Sequence, residues 1–591
     1  MKLDRGPDGW TVAGSWYRLS GTDDGLVAIL TDIHGERWAE IRLLASVDTL
    51  AGTDETLSVR GPDVTEASDA VLLSWELTST IWTSKRLVVE ARADEIAVAA
   101  EVEGQGRLTD CMLLAGRAIL PRTTGTLMSG AWFESIVSAA PADPGRIVIP
   151  ASTSATIGVV SGPEPGRGDW FFTPAPFAFA ASRRAAADPV ALPGGPWLTF
   201  ALDAVAGSAG FTSFGYRAID RGFGFVLDYD GHTAVTGRWR SPPVVVSEDA
   251  DPYAGIDRQR RRLEAVSTAQ VARAARPIWW QEPIFSGWGA QCALARASGQ
   301  TLRAAARYAS QQHYDAFLDH LAGEGVIPGT VVVDDKWQAT YGSCTPDLDK
   351  WPDLPGWIAD RRGRGQHVLL WYKAWDTEGV PGDACVRSPT GTPLGIDPTH
   401  PDGEAAIRTA IRTMLGPGEL DADGLKIDFT ARTPSGLAAV HHGTAWGVDL
   451  LRRLLEVVAD EARSVKPGAL LVGHAPNPLI APSLGMVRLN DALRLDDPRP
   501  QVDIVPQMRH RAAVVRAGCP DHLIDTDDWC VPDRGGWRAY AAIKPSLGVP
   551  ALYYATHIDL TGEPLEPADY ALIRETWAAH RRDVGSPFAG A

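Results

Sequence analysis

DGLKIDFTAR, residues 423–432, contains a short apolar strand that carries two opposite charges. Successive side chains of a strand point to opposite faces, so Lys426 and Asp428 share one face and the intervening apolar residues share the other. Burying either charge is costly unless it is paired. The two residues therefore form either an ion pair that ends a strand or a carboxylate held ionised for catalysis, and taken alone they leave both readings open.

Apolar runs of strand length alternate with helical stretches from Pro283 onward. The predicted strands are PIFSGW (283–288), GTVVVDD (329–335), HVLLWY (367–372), GLKIDF (424–429), ALLVGH (469–474), DALRLDD (491–497), HLIDTDD (522–528) and ALYYAT (551–556). Eight strand–helix units in about 300 residues predict a (β/α)₈ TIM barrel. An open doubly wound sheet is the alternative, but it would normally carry a glycine-rich phosphate loop after its first strand, and FSGWGAQCALA is not such a loop.

The chain before this barrel has a different pattern. β-rich runs broken by Gly, Pro and Asp fill most of the first 250 residues, which predicts an antiparallel β-sandwich. A polar helical stretch follows. We therefore expect a multidomain protein with a β-sandwich domain at 1–252, a helical linker at 253–280 and a catalytic barrel at 281–591.

Composition narrows the class of function. The net charge of −17 disfavours nucleic acid and anionic membranes as partners, and no basic tract is present. The N-terminus lacks the apolar core of a signal peptide and no run of 18 apolar residues occurs, so we expect a cytoplasmic enzyme. Six scattered cysteines without a CxxC pair indicate neither a zinc site nor a disulfide framework. The oligomeric state is not readable, and a homo-oligomer stays open.

Carboxylates and tryptophans gather where such a barrel places its active site, at the carboxyl ends of the strands. A single aspartate there could cap the next helix, but capping does not explain aspartates at four strand ends. With 21 tryptophans available to stack on sugar rings, and neither HExxH nor GxSxG present, the pattern favours glycoside chemistry. Carboxylates holding Mg²⁺ or Ca²⁺ are the alternative. The residues concerned are Asp334, Asp335, Asp428, Asp496, Asp497, Asp525, Asp527, Trp288, Trp337 and Trp371.

Five motifs in chain order resemble the clan of α-galactosidases (melibiases) and raffinose synthases, which are retaining α-glycosidases. They are VVVDDKWQ, the TPD segment that leads to HVLLW, GLKIDF, ALRLDD and LIDTDDW, and the resemblance covers roughly residues 281–560. A β-sandwich before the barrel also fits this clan. Two segments depart from the melibiase pattern: WYKAWD replaces WxxPE on strand three, and GHAPNPLIAP replaces CxSGGxR on strand five. The resemblance therefore does not imply galactose as the sugar.

The resemblance also implies roles for individual residues. Asp428 would be the nucleophile, kept ionised by Lys426 on the same face. Asp496, two residues after Arg494, would be the acid/base, with Asp497 as the alternative. No cofactor or metal is implied. Substrate binding would fall to Asp334, Asp335, Lys426, Arg494, Trp288, Trp337, Trp371, Lys373, His474, Asp525 and Asp527.

Two other functions stay open from the sequence. A transglycosylase of the raffinose-synthase type would share the glycosyl-enzyme and differ in its acceptor. A non-catalytic carbohydrate-binding protein would keep the barrel without turnover.

Overall fold

The computed structural model describes the chain except for residues 8, 142, 144, 160–170, 267–275, 494–501 and 587–591. The N-terminal part is a hydrogen-bonded network of twenty described strands, almost all paired antiparallel. The strands are β1 Lys2–Gly6, β2 Gly9–Ala13, β3 Tyr17–Gly21, β4 Val27–Asp32, β5 Arg37–Arg42, β6 Ala45–Thr49, β7 Glu55–Glu66, β8 Ala70–Ser79, β9 Ser84–Arg92, β10 Ile96–Leu113, β11 Ala115–Leu120, β12 Thr123–Ala131, β13 Ser135–Ser138, β14 Val148–Pro150, β15 Ala155–Gly158, β16 Ala178–Ser182, β17 Trp197–Leu202, β18 Ser213–Ile219, β19 Gly222–Arg240 and β20 Val244–Asp249.

Alternation of apolar and polar residues explains these strands. In β8, Leu73, Trp75 and Leu77 are buried, whereas Leu72 before them and Glu76 among them are exposed. A period of two places one set of side chains in the core and the other in solvent. The β-rich character of this part is as predicted, while its division into two packed sheets stays a prediction.

The C-terminal part contains twelve further described strands. They are β21 Ile284–Ser286, β22 Thr330–Val333, β23 Gln338–Thr340, β24 Thr345–Pro346, β25 His367–Lys373, β26 Cys385–Arg387, β27 Pro393–Ile396, β28 Gly424–Asp428, β29 Leu470–Gly473, β30 Met486–Arg488, β31 Leu523–Asp525 and β32 Ala551–Leu552. Eight of them form a parallel sheet in the order β31-β30-β29-β28-β25-β22-β21-β32. A parallel bridge between Asp525 and Val549 nearly closes this sheet into the predicted barrel. The remaining four make two small hairpins after β22 and β25.

α-Helices separate the barrel strands, except between β29 and β30, where the described chain has only the 3₁₀ turn Ala481–Ser483. The described helices are α1 Pro252–Val266, α2 Trp288–Ala297, α3 Gln311–Gly323, α4 Leu354–Gly363, α5 Pro401–Leu415, α6 Gly447–Val465, α7 Ile504–Gly518, α8 Arg534–Leu547 and α9 Pro567–Val584. Helix α6 buries Leu450, Leu451, Leu454 and Leu455 on one face, as its helical spacing predicts. No helix of the described chain is long and apolar enough to cross a membrane.

Seven of the eight predicted barrel strands overlap the observed ones, but the sixth was misplaced. The sequence predicted it at 491–497, whereas the sixth barrel strand is β30, which pairs with β29 and β31. The run Met-Val-Arg is only three residues long and ends in a charge, so its pattern is weak. These three residues are buried and pair with a strand on each side. Such long-range pairing cannot be read from a hydrophobic pattern.

The N-terminal part reaches the barrel mouth through residues 171–177. The amide of Thr173 donates to the carbonyl of His474 at 3.0 Å. Asn477 and Asn490 donate their side-chain amides to the carbonyls of Ala175 and Phe171, at 2.7 and 2.9 Å. The loops after β29 and β30 are therefore held from outside the barrel.

Candidate active site

Asp428 ends β28 and points into the mouth of the barrel. Its Oδ1 accepts hydrogen bonds from the Phe429 amide at 2.9 Å and from Arg488 Nη2 at 3.0 Å. The indole of Trp371, on β25, donates to Oδ2 at 3.1 Å. The side chain keeps 23% of its surface exposed. The carboxylate is thus fixed by three donors and is still open to a ligand.

The charges around Asp428 decide its protonation. Burial is the largest single influence and by itself would raise the pKa of this carboxyl. The charges of Arg488, of His474 where it is protonated, and of Lys426, together with the hydrogen bond from the Phe429 amide, outweigh burial. The pKa is therefore held well below its usual range. An ionised carboxylate at neutral pH is the form that can act as a nucleophile.

Lys426 shares a face with Asp428, as predicted, but its ion pair is with a different residue. Its ammonium lies 2.7 Å from Asp334 Oδ2, at the end of β22, and Ser286 on β21 donates to the same oxygen. Inward-pointing side chains of different strands meet inside a barrel, which brings these residues together. The charge of Lys426 lowers the pKa of Asp428, as expected, while its own ion pair is with Asp334.

The direct partner is Arg488, which the sequence analysis missed. This buried arginine ends β30 and bridges Asp428 and Asp527, the latter at 2.6 Å. It also donates to Nδ1 of His474 at 3.3 Å. An arginine that ends a short apolar run is the signal that could have found it. The sequence analysis instead selects Arg494, as a substrate-binding residue beside Asp496, because it places the sixth strand at 491–497.

His474 is buried behind the nucleophile. Because its Nδ1 accepts from Arg488, we assign the ring proton to Nε2, which lies 2.7 Å from Thr430 Oγ1. Burial first, and then the charge of Arg488, lowers the pKa of His474 to about 4. A neutral histidine in this place supports the arginine and the turn after β28. The structure therefore offers it as a support for the site, whereas the sequence predicted contact with the substrate.

Asp491 is a second functional candidate that the sequence analysis missed. It follows β30, is 7% exposed, and lies 3.6 Å from Arg488. Burial raises the pKa of Asp491 to about 8, and the negative charges of Asp527 and Asp428 add to this effect while Arg488 opposes it. A carboxyl group that holds its proton near neutral pH, in the same charge network as an ionised one, has the properties of a general acid.

The backbone that carries Asp491 is fixed from helix α7. Arg511 Nη1 donates to three successive carbonyls, those of Leu489, Asn490 and Asp491, at 2.8, 3.1 and 2.7 Å. The guanidinium of Arg511 also stacks on the ring of Phe171, 3.7 Å from its centroid. The position of Asp491 thus depends on a helix of the barrel and on a residue of the N-terminal part.

Three further predicted aspartates lie at the same rim. Asp335 accepts from the Tyr341 hydroxyl at 2.7 Å, and burial raises its pKa to about 6. Asp527 is fully buried and also accepts from the Trp529 amide at 2.9 Å. Burial, followed by the charge of Asp527, raises the pKa of Asp525 to about 7. Asp335 is the most accessible of these three carboxyl groups.

The predicted aromatic residues Trp288 and Trp337 differ in how far their rings are exposed. Trp288 is half-buried and lies edge-on to Trp529 with 5.7 Å between ring centroids, so part of its ring faces outward. Trp337 is fully buried and donates to the carbonyl of Trp371 at 2.9 Å, which makes it a support rather than a surface for stacking. Lys373, at the end of β25, is 2.6 Å from Asp376.

Arg494, Asp496 and Asp497 lie outside the described residues. Within the described ranges, no group of three or more His, Cys, Asp or Glu side chains is arranged to hold a metal ion.

No protein-family model and no curated protein matches the chain. Among solved structures, it is similar to a GH31 family sulfoquinovosidase from E. rectale, with a TM-score of 0.59 and 10% identity over 99% of this chain and 83% of that one. It is similar to an α-galactosidase from Lactobacillus brevis, with a TM-score of 0.52 and 11% identity over 98% and 84% of the two chains. It is also similar to a GH36 α-galactosidase variant from Geobacillus stearothermophilus, with a TM-score of 0.51 and 13% identity over 93% of this chain and 76% of that one. The chain therefore has the fold of the α-glycosidase clan that its motifs resemble.

Proposed function

We propose that the protein is a retaining α-glycosidase that forms a covalent glycosyl-enzyme on Asp428. The observation that carries this proposal is the geometry around Arg488, which binds Asp428 at 3.0 Å and lies 3.6 Å from Asp491. In these surroundings the pKa of Asp428 is lowered and the pKa of Asp491 is raised. Two carboxyl groups whose environments separate their pKa values are the usual basis of glycoside cleavage. The α-glycosidases among the structural neighbours support the same function.

In the proposed first step, an oxygen of Asp428 attacks the anomeric carbon and the glycosidic bond breaks. The leaving oxygen takes the proton of the general acid, so the aglycone departs neutral. In the second step the same acid, now ionised, removes a proton from water. The water oxygen attacks the anomeric carbon, displaces Asp428 and restores the original configuration.

We assign the acid/base role to Asp491, because it is the carboxyl group with a raised pKa next to the arginine that binds the nucleophile. Asp496 and Asp497 are the candidates from the sequence. Replacing each of the three by alanine, one at a time, tests the assignment. Loss of the true acid should leave the cleavage rate of aryl substrates with good leaving groups nearly unchanged and lower the rate for poor leaving groups by roughly 10²–10⁴-fold. Added azide should then give a product of retained configuration. Only one of the three variants should show all of these effects.

Sugar hydroxyls are proposed to bind Asp334 and Asp335 through charge-assisted hydrogen bonds, with Trp288 offering a ring face. Because strands three and five depart from the melibiase pattern, we propose that an α-galactoside is not the best substrate. A side-by-side assay of aryl α-glycosides tests this, and a clear preference for α-galactosides would contradict it.

Turnover by the wild-type chain and by Asp428→Ala is the main test of the function. We expect the wild type to release the α-anomer first, as seen by proton NMR, and Asp428→Ala to be inactive. Release of the β-anomer would show inversion and rule out the glycosyl-enzyme. A transglycosylase would give longer products when a sugar acceptor is added, and a carbohydrate-binding protein would show binding without any turnover.

A further inference from the structure

Arg432 lies next to the nucleophile and has no role in the proposed mechanism. It ends the short 3₁₀ turn Thr430–Arg432 directly after β28. Its guanidinium lies 4.2 Å from the ring centroid of Phe429. Phe429 in turn packs edge-on against Trp371, the indole that binds Asp428, with 5.9 Å between ring centroids. Arg432 therefore belongs to the wall of the mouth that carries the nucleophile.

Among the described residues, Arg432 differs from the neighbouring cations Lys426, Arg488 and Lys373 in having no counter-ion. Among the described residues, no carboxylate lies within ion-pair distance of its guanidinium, and its buried Nε has no hydrogen-bond partner. Those three cations each have a carboxylate, in the pairs Lys426–Asp334, Arg488–Asp428 and Lys373–Asp376.

An unpaired guanidinium in this position is unfavourable. Burial lowers the pKa of Arg432, although Asp428, Asp376 and Asp335 lie near enough for their charges to oppose that effect. A half-buried charge without a partner costs free energy that a bound anion would recover. The planar fork of arginine matches carboxylate, sulfonate and phosphate oxygens in two parallel hydrogen bonds.

We propose that Arg432 binds a negatively charged group on the substrate, so that the enzyme acts on anionic α-glycosides. This inference rests on the proposed glycosidase function and adds the substrate class to it. The ammonium of Lys373 lies 5.6 Å from the ring centroid of Phe429 and is a second, weaker source of positive charge, because Asp376 already pairs with it. A neutral glycoside would leave the guanidinium of Arg432 unpaired.

The test compares four aryl α-glucosides that differ only at position 6. One is the unmodified glucoside with its 6-hydroxyl group, and the other three have a 6-carboxylate, a 6-sulfonate or a 6-phosphate. The enzymes are the wild type, Arg432→Gln, and Arg122→Gln as a matched control, since Arg122 is an exposed arginine between β11 and β12. We expect the wild type to prefer at least one anionic glycoside by roughly 10- to 100-fold in kcat/KM, the range for a hydrogen bond to a charged group. The charged group that is preferred identifies the anion.

Arg432→Gln should remove this preference and change turnover of the neutral glucoside only a few-fold, whereas Arg122→Gln should change neither. A wild type that prefers the neutral glucoside, or an Arg432→Gln that slows all four substrates equally, would overturn the inference. If Arg432→Gln does not fold, Arg432→Lys replaces it and should weaken the preference by losing the paired hydrogen bonds.

Calorimetric binding of the corresponding thioglycosides separates the two proposals. The wild type should bind an anionic thioglycoside more tightly than the neutral one, and Arg432→Gln should lose this difference. That result would support the inference even if no glycoside is cleaved. Absence of cleavage would then contradict the glycosidase proposal alone. Equal binding of charged and neutral thioglycosides by the wild type would overturn the inference while leaving the glycosidase proposal intact.

Discussion

Arg488 connects the groups that perform the proposed chemistry. It binds Asp428 and Asp527 directly and lies near Asp491. The buried charge of Arg488 thus stabilises the ionised form of Asp428. The same charge also lowers the pKa of Asp491, but burial raises that pKa by more. The difference between the two carboxyl groups comes from contact geometry rather than from residue type.

Replacing Arg488 with glutamine tests this role. The charge that lowers the Asp428 pKa disappears, so the pKa rises and the acid limb of kcat/KM should move to higher pH. We also expect a loss of stability of about 3–5 kcal/mol, because a buried charge pair with Asp527 is broken. Arg488→Lys keeps the charge and should shift the limb less, and an unchanged pH profile in Arg488→Gln would show that Arg488 does not set the protonation of Asp428.

Asp491 should link the stability of the fold to pH. Its pKa rises from the ordinary 3.8 to about 8 on folding. Between pH 3.8 and about 8, the folded state therefore holds a proton that the unfolded chain has released. The stabilisation is complete below pH about 4 and is lost as the pH rises toward 8. Asparagine resembles the protonated carboxyl, so Asp491→Asn should gain melting temperature relative to the wild type as the pH is raised. A difference in melting temperature that is constant from pH 5 to 8.5 would contradict this.

At the scale of elements, helix α7 positions the loop after β30. Arg511 on this helix donates to the carbonyls of residues 489–491, so the loop cannot shift without breaking these bonds. The position of Asp491, the proposed acid, thus depends on a buried side chain of a neighbouring helix.

Arg511→Met should loosen this loop. We expect kcat on substrates with poor leaving groups to fall by roughly 10-fold or more with little change in KM, since misplacing the acid affects the transition state more than binding. Hydrogen exchange at residues 489–493 should accelerate. Arg516→Met is the matched control, because Arg516 lies on the same helix and donates to the carbonyls of Ser546 and Leu547. Equal effects of the two substitutions would reduce the role of Arg511 to general stability.

At the scale of the whole molecule, the β-rich part donates hydrogen bonds to a buried carboxylate of the barrel. Asp449, in the first turn of α6, accepts from the amides of Gly207 and Ala209 at 3.1 and 3.0 Å. Together with the contacts of residues 171–177, this makes the N-terminal part a component of the active site's support.

Asp449→Ala should therefore destabilise the protein as a unit. The buried amide of Ala209 loses its acceptor, which costs about 1–3 kcal/mol, whereas the amide of the exposed Gly207 can bind water instead. We expect a lower melting temperature and faster proteolysis between the two parts, measured against Asp460→Ala, which removes an exposed aspartate from the same helix. If both variants melt like the wild type, the two parts are not coupled through α6.

The sequence by itself determined the barrel and the place of Asp428 at the end of its fourth strand, because hydrophobic periodicity is a local property of the chain. The resemblance to α-glycosidases came from motifs at the strand ends, which are local as well. It also indicated that Lys426 and Asp428 share a face, since alternation in a strand is local as well. Only the tertiary structure showed that Lys426 pairs with Asp334 and that Arg488 binds Asp428. These partners lie 92 and 60 residues apart in the chain and meet only when the barrel closes. The protonation of Asp491 has the same origin, because burial and neighbouring charges set a pKa and neither can be read along a chain.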